Sequence, residues 1–385
     1  GRKPAAPTKH KLLVITGTWP PLRCGVGDYT RELCRELAKL PWEVHVLTSR
    51  LAGEQVPGVT LHPLAETWSW PVLDQVENCI RELQPDVVNL QWPTAVYGRS
   101  LAVNGLAWRL RRAFPGLPLV TTLHELRYFK PWTRLRVLPS LKHSRRIILV
   151  DPQDALVVKN LAPNSASRCR VIPIGSNLPP AEGRGFDRAA RRRQLGFQAR
   201  DFVVTFFGFA NPPKGLETLL EALRQTQEAA GGVQFLLLSQ LEGNYGARLR
   251  AAIHDLGLEE ITRTVDYAGP RETAERLACA DCAVLPFLDG IAWKRGSVMA
   301  CLAQGLPVIS TLPAVPPFEH GGNALLVPAR DPGALAAAIG RLRQDPDLRA
   351  RLGQAGRRLA EKFSWPEIAR QQHDTLMEAM AQNLA

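Results

Sequence analysis

The stretch from Asp281 to Ser310, DCAVLPFLDGIAWKRGSVMACLAQGLPVIS, decides the fold. Its opening run, Cys282 to Phe287, is short, apolar and carries a proline near its end, the pattern of a strand buried on both faces of a parallel sheet. After a loop, Arg295-Gly296-Ser297 opens a segment in which Val298, Met299, Leu302 and Ala303 fall at helical spacing. Gly305 closes that segment, and Leu306 to Ile309 begins another strand. The unit is therefore strand, loop, helix, strand, with a basic residue, a glycine and a hydroxyl where the helix begins. A first helical turn has unpaired N–H groups and the positive end of the helix dipole, so a phosphate is well held there. Arg295 would add a planar fork of donors suited to phosphate oxygens, although an ordinary helix start with a solvated arginine has the same appearance.

Working outward, 385 residues exceed what one hydrophobic core usually supports, which predicts two domains. An apolar share of 45% and a charged share of 22% are those of a soluble globular chain. Lys and Arg number 48 against 36 acidic residues, a formal charge of +12 that favours anionic partners such as nucleotide phosphates or an anionic membrane surface. The excess clusters at 109–112, 130–146 and 188–193, each of which taken alone reads as a solvated helix face. No nucleic-acid recognition module is visible, so nucleic acid is not an expected partner. Seven scattered cysteines, an odd number, imply reduced thiols and a cytoplasmic protein. Cys279 and Cys282 form a CxxC without a second pair, which points to packing rather than zinc, and no metal is expected. No apolar run approaches the roughly 18 residues that span a bilayer, and the opening GRKPAAPTKH lacks the apolar core of a signal peptide.

The rhythm of the opening stretch recurs along the chain. Strands are expected at Lys11–Thr16, Val44–Thr48, Val59–His62, Asp86–Leu90, Leu117–Leu123, Arg146–Val150 and Arg170–Ile174, with helices at Val72–Leu83 and Leu101–Ala113 among those between them. The first strand runs into a loop bearing Gly25-Val26-Gly27, then a helix with Asp28 as its expected N-cap. This is not the GxGxxG dinucleotide fingerprint, because the loop is long and the third glycine is missing. From Ile174 to Asp201 the pattern gives way to a Gly-, Pro- and Arg-rich segment that reads as a linker. A second series follows, with strands at Phe202–Phe207, Val233–Leu238, Arg263–Tyr267, Cys282–Phe287, Pro307–Ser310 and Ala324–Val327, and a helix expected over Lys214–Gln227. The fold class is thus α/β, two Rossmann-like parallel-sheet domains facing across a cleft. The boundaries are 9–177 with 366–385 crossing back, and 178–365. Ligands of such sheets bind beyond the carboxyl ends of the strands, which gives weight to Asn89, Gln91, His124 and Glu125.

At this point the chain resembles the GT-B glycosyltransferases, specifically the retaining family 4. The anchors are TGTWPPLRCGVGDYTRELCREL, TLHEL, VIPIGSN, FFGFANPPKGLETLLEAL, the stretch already quoted with HGGNALLV, and FSWPEIARQQHDTLMEAM. Six anchors in order span nearly the whole chain. The resemblance implies a nucleotide-sugar donor and a glycan or lipid-linked acceptor, with no cofactor. It places Gly25, Val26, Gly27, Gly208, Lys214, Gly296, Ser297 and Val298 at the donor and His124 near the transferred sugar and acceptor; reading the residues themselves adds Asp289 and Arg295 at the donor and Asp28, Tyr29, Gln91 and Glu125 on the acceptor side. His124, Lys214 and Arg295 are the candidate catalytic residues.

Two departures stand against the family pattern. The arginine of its Gly-Arg-(x)4-Lys-Gly signature falls on Phe209, and its paired glutamates fall on Ala292 and Ala300. Arg295 is the candidate replacement for the first, and Asp289 the weaker candidate for the first glutamate. The missing carboxylates also admit a non-catalytic scaffold, and the fold admits a sugar-nucleotide epimerase or phosphorylase. The aromatic and basic segment 126–146 is a candidate contact to an anionic membrane, which would make the protein peripheral on the inner face.

Overall fold

The computed structural model describes residues 9–381 apart from 23, 93, 98, 99, 125, 177, 182–184 and 267. The chain divides into two units, Gly1–Ile174 with Trp365–Ala385, and Gly175–Ser364. Each is an α/β unit around one parallel sheet.

In the first unit the described strands are β1 (His10–Ile15), β2 (Trp42–Ser49), β3 (Val59–Ala65), β4 (Val87–Trp92), β5 (Leu119–Leu123), β6 (Arg146–Leu149) and β7 (Cys169–Val171). Their order is β3-β2-β1-β4-β5-β6-β7, every pair parallel. Successive strand residues point to opposite faces, so both faces must be apolar and both covered. Leu13 and Ile15 of β1 join the core under the helices Val72–Leu83, Ala102–Ala113 and Leu138–His143, while Leu12 and Val14 join the core under Gly25–Leu37 and Trp365–Ala381. That last helix returns to this unit by burying Ile368 and Leu376, and Trp42 Nε1 donates to His373 Nδ1 at 2.9 Å.

The second unit holds β8 (Phe202–Phe207), β9 (Val233–Leu238), β10 (Thr262–Val265), β11 (Cys282–Leu285), β12 (Val308–Thr311) and β13 (Leu325–Val327), in the order β10-β9-β8-β11-β12-β13. The expected strands are present within a few residues of their expected ends. Asp331 and Asp345 cap the helices Pro332–Gln344 and Pro346–Glu361, each with proline in the first turn.

Three expectations change. Asp28 is not an N-cap: the helix Gly25–Leu37 starts earlier, with Cys24 at the cap, because two glycines enter the first turn freely and Gly27 passes against Thr18. The helix expected from Lys214 begins at Leu216, after a short 3-10 turn over Pro212–Lys214 and a left-handed Gly215. Gly215 has φ of 68°, and a Cβ there would lie 2.1 Å from the Pro286 carbonyl oxygen, so the chain must break its helix to pass β11.

The third change is the linker, which contains the helix Arg188–Gln194. Arg192 is 5% exposed and donates to the carbonyls of Cys279 at 2.9 Å and Asp201 at 2.6 Å and to Asp281 Oδ2 at 3.1 Å. Arg188 pairs with Asp281 Oδ1 at 2.8 Å, and Arg191 pairs with Glu275. The cluster 188–193 is therefore tied into the second unit and is not a solvated face.

Each sheet order reverses at one place, between β1 and β4 and between β8 and β11. There the loops leaving the two central strands turn to opposite faces, opening a crevice at their carboxyl ends. The candidate residues sit at these two points.

Candidate functional site

In the second unit the crevice is built from the loop after β8, the loop after β11 and the start of the helix Gly296–Ala303. Gly208 has φ of 136°, and a Cβ there would lie 3.6 Å from that of Ser297, so a bare backbone brings the first loop against the helix start. The two loops are joined where Leu288 N donates to the Pro213 carbonyl at 3.0 Å. Phe287 is fully buried beneath them, its carbonyl accepting from Thr311 Oγ1.

Phe287 is the platform on which both cations rest. Lys214 Nζ lies 4.8 Å from its ring centroid and Arg295 Cζ lies 4.0 Å from it. A desolvated cation over an aromatic face gains on the order of 2 kcal/mol, which holds both charges in place. Arg295 occupies the N-cap position, its side chain 12% exposed, and donates to Asp289 Oδ1. Its Nε is buried and has no hydrogen-bond partner among the described residues. By helix geometry the amides of Gly296 and Ser297 lack an intrahelical acceptor. An orphan guanidinium N–H, a second cation and a helix start thus gather at one place, which is the chemistry of an anion site.

In the first unit the crevice lies between β1 and β4, whose ends are pinned together by Tyr97, its hydroxyl donating to the carbonyls of Ile15 at 3.2 Å and Gln91 at 2.6 Å. The loop after β1 is anchored by fully buried Trp19, whose Nε1 donates to the Glu54 carbonyl at 2.9 Å. It delivers Gly25, Val26 and Gly27 as the first turn of the next helix, with Asp28 following in the same turn. Burial raises the carboxyl pKa of Asp28, against the lowering effect of Arg31.

His124, at the end of β5, is the terminus of a buried hydrogen-bond chain. Asn89 Nδ2 donates to Thr122 Oγ1 at 3.1 Å and to the Val120 carbonyl at 3.2 Å, Gln91 Nε2 donates to Asn89 Oδ1, and Gln91 Oε1 lies 2.8 Å from His124 Nε2. The amide orientations that satisfy this chain put the imidazole proton on Nε2 and leave the lone pair on Nδ1. Burial pushes the His124 pKa down to about 3, so the ring is neutral at any working pH. It serves as a hydrogen-bonding group, not a cation. Gln91 is fully buried and acts through His124. Tyr29 is also interior, 3% exposed, with its ring edge-on to His124 at 4.8 Å and its hydroxyl accepting from Gln372 Nε2 at 3.0 Å. It supports His124 from below. Glu125 lies outside the described residues.

Two family models match the chain: glycosyltransferase family 4 over residues 24–178 and glycosyl transferases group 1 over residues 201–345. They cover most of both units. This chain is a glycosyltransferase, its first unit matching family 4 and its second matching group 1. A D-inositol 3-phosphate glycosyltransferase of Corynebacterium jeikeium is similar to it at 28% identity, covering 70% of this chain and 68% of the relative. Among solved structures, sucrose-phosphate synthase from Thermosynechococcus elongatus superposes with a TM-score of 0.78 at 21% identity, over 97% of this chain and 100% of that one. Anabaena HepE in complex with UDP and glucose gives 0.76 at 20% identity, over 96% and 100%. The fold of this glycosyltransferase is GT-B.

In this glycosyltransferase Ala292 and Ala300 are 2% and 1% exposed, so methyl groups packed in protein fill the places where the family pattern puts carboxylates. Val298, expected at the donor, is likewise fully buried, and its backbone amide donates to the Arg295 carbonyl at 2.9 Å, so it has no group to offer a ligand. Sequence reasoning missed Phe287. Its signal was an aromatic residue following a proline where a central strand ends, and its role as a platform became visible once Lys214 and Arg295 were found on it. Among the described residues no three His, Cys, Asp or Glu side chains are grouped to hold a metal ion, and Cys279 and Cys282 are both buried in the core.

Proposed function

We propose that this glycosyltransferase moves a sugar from a nucleoside diphosphate sugar to an acceptor hydroxyl, with retention of anomeric configuration and with protein cations in place of a metal. The observation that carries this is the pair Lys214 and Arg295 on Phe287 at the start of Gly296–Ala303. As the bond from the anomeric carbon to the phosphate oxygen breaks, its electron pair passes to the diphosphate and the sugar gains oxocarbenium character. Two fixed cations and the amides of Gly296 and Ser297 stabilise that charge, and Gly208 lets backbone approach it. The acceptor oxygen bonds to the anomeric carbon, and its proton passes to the released phosphate. Asp289 holds Arg295 through one oxygen, and its second oxygen is assigned to a sugar hydroxyl. In the first unit, Gly25, Val26 and Gly27, with Asp28 and His124, are assigned to the transferred sugar and acceptor, Gln91 holding His124 in one tautomer.

The family matches and the UDP and glucose in the HepE structure support this reading. A panel of UDP-, GDP- and ADP-sugars measured by thermal shift in the presence of EDTA tests it. One donor is expected to raise the melting temperature with EDTA present, since a ligand of the folded state stabilises it by mass action. If no member shifts it, or a shift requires divalent metal, the reading fails.

A lipid-linked acceptor is the second part of the proposal. In segment 126–146, Trp132 and Leu135 are 64% and 52% exposed while Val137 and Leu141 enter the core, and Lys130 Nζ sits 5.2 Å from the Trp132 ring centroid. An exposed indole with cations beside it suits an anionic bilayer surface. Co-sedimentation with vesicles containing phosphatidylglycerol is expected at low salt, weakening as salt rises. Trp132→Ala and Lys130→Ala are expected to reduce it together. Sedimentation that ignores both salt and these variants would remove the membrane from the account.

A further inference from the structure

The two crevices lie at the carboxyl ends of the strands. At the opposite end of the first sheet, around the first residues of β5 and β6, there is a second concavity of about 290 Å³. It is lined by Arg111, Lys142, His143, Arg145 and Arg168, with Leu119 of β5 at its floor and no carboxylate among its walls. The five basic residues come from separate elements: the last turn of Ala102–Ala113, the end of Leu138–His143, the residue before β6, and the turn before β7.

Several of these side chains are built in. Arg168 donates to the carbonyl of Leu141 and to Ser165 Oγ, both at 2.7 Å, and also to the Ser144 carbonyl. Arg145 donates to the carbonyls of Gly116 at 2.8 Å and Ala379 at 3.1 Å. All of these acceptors are neutral. Glu378, one residue from Ala379, is held by Arg146 at 3.2 Å and Arg170 at 2.8 Å. No carboxylate lines the cavity, so the basic side chains there face one another across it. Burial, Lys142, Arg111 and Arg168 depress the pKa of His143, and burial and Arg111 depress that of Arg145. Cations at the carboxyl ends of the two helices complement their dipoles, which accounts for each one singly. It does not account for five basic side chains from four elements sharing one concavity.

We propose that this pocket is a second anion site, binding a phosphomonoester or diphosphate group at the end of the first sheet opposite the crevice between β1 and β4. The chemistry is a fork of guanidinium donors from Arg111, Arg145 and Arg168 around phosphate oxygens, with Lys142 as a point charge at the rim. The volume suits a phosphate with a small attached group and not a whole nucleotide sugar, consistent with a role separate from the donor.

The probe is inorganic pyrophosphate, titrated calorimetrically into the full chain carrying Lys214→Ala and Arg295→Ala, so that the proposed donor site is disabled. Saturable binding is expected to persist, and adding Arg111→Ala with Lys142→Ala is expected to weaken it at least about tenfold, the loss of two charge-assisted contacts. Removing two exposed cations elsewhere, Lys159→Ala with Arg358→Ala, is expected to leave it within about twofold. Absence of saturable binding, or equal weakening by both charge pairs, overturns the proposal. Because the donor-site variant is the starting material, failure here leaves the proposed transfer chemistry standing, and failure of that chemistry leaves this site standing. Vesicles containing phosphatidic acid separate the sources. Capture that pyrophosphate displaces and the pocket variant loses assigns the site to a lipid headgroup, and pyrophosphate binding without capture assigns it to a soluble phosphate.

Discussion

Arg295→Ala is expected to lower the turnover number about 10²- to 10³-fold, the usual loss on removing one electrostatic partner of a transition state. The size follows from where the guanidinium sits. It is held over Phe287, anchored to Asp289 and 12% exposed, so it is already in place when charge develops on the leaving diphosphate. Ala292 and Ala300 carry methyl groups and Phe209 stands where the signature has arginine, so none of these three positions supplies a replacement charge. Most of the effect should appear in turnover rather than in KM, because the charge it meets grows between ground state and transition state. Arg295→Lys should recover part of the loss: it restores charge without the fork or the flat stacking surface. Steady-state kinetics on the donor found by the panel make the measurement, and a turnover within a factor of two of the parent would show that the charge lies elsewhere.

Arg192→Met is expected to destabilise the second unit by about 3–5 kcal/mol, the range for breaking a buried ion pair. Methionine matches the stem but strands the carbonyls of Cys279 and Asp201, and Asp281 then depends on Arg188 and the Val203 amide, each at 2.8 Å. Urea unfolding followed by a probe of the second unit would show its transition moving to lower denaturant, while the first unit, which Arg192 does not touch, keeps its midpoint. A change below about 1 kcal/mol would place Arg192 among ordinary surface arginines.

These residues mark where sequence reading held and where it stopped. The central strands were legible because a parallel strand inside a sheet is buried on both faces, leaving an uninterrupted apolar run such as Cys282 to Phe287. Lys214 was singled out by the resemblance of its segment to a family signature and Arg295 by an arginine and glycine at an expected helix start, and the structure brings both onto Phe287. Arg188 to Arg193 was misread because an arginine run has the same composition whether its forks meet water or carbonyls. Those carbonyls, of Cys279 and Asp201, come from distant segments. The start of the helix after Lys214 was misplaced for a related reason: the need for a left-handed Gly215 comes from the Pro286 carbonyl, about seventy residues along the chain.

By itself, the sequence determined two parallel α/β sheets and the likeness to the GT-B glycosyltransferases. These depend on burial patterns and residue types, which are local properties of the chain. Tertiary structure alone decided that Phe287 carries both cations, that Asn89 and Gln91 set the proton of His124, and that five basic side chains share a hollow at the far end of the first sheet. Such facts rest on contacts between residues tens of positions apart, and an electrostatic interaction depends on distance in space, which spacing along a chain does not record.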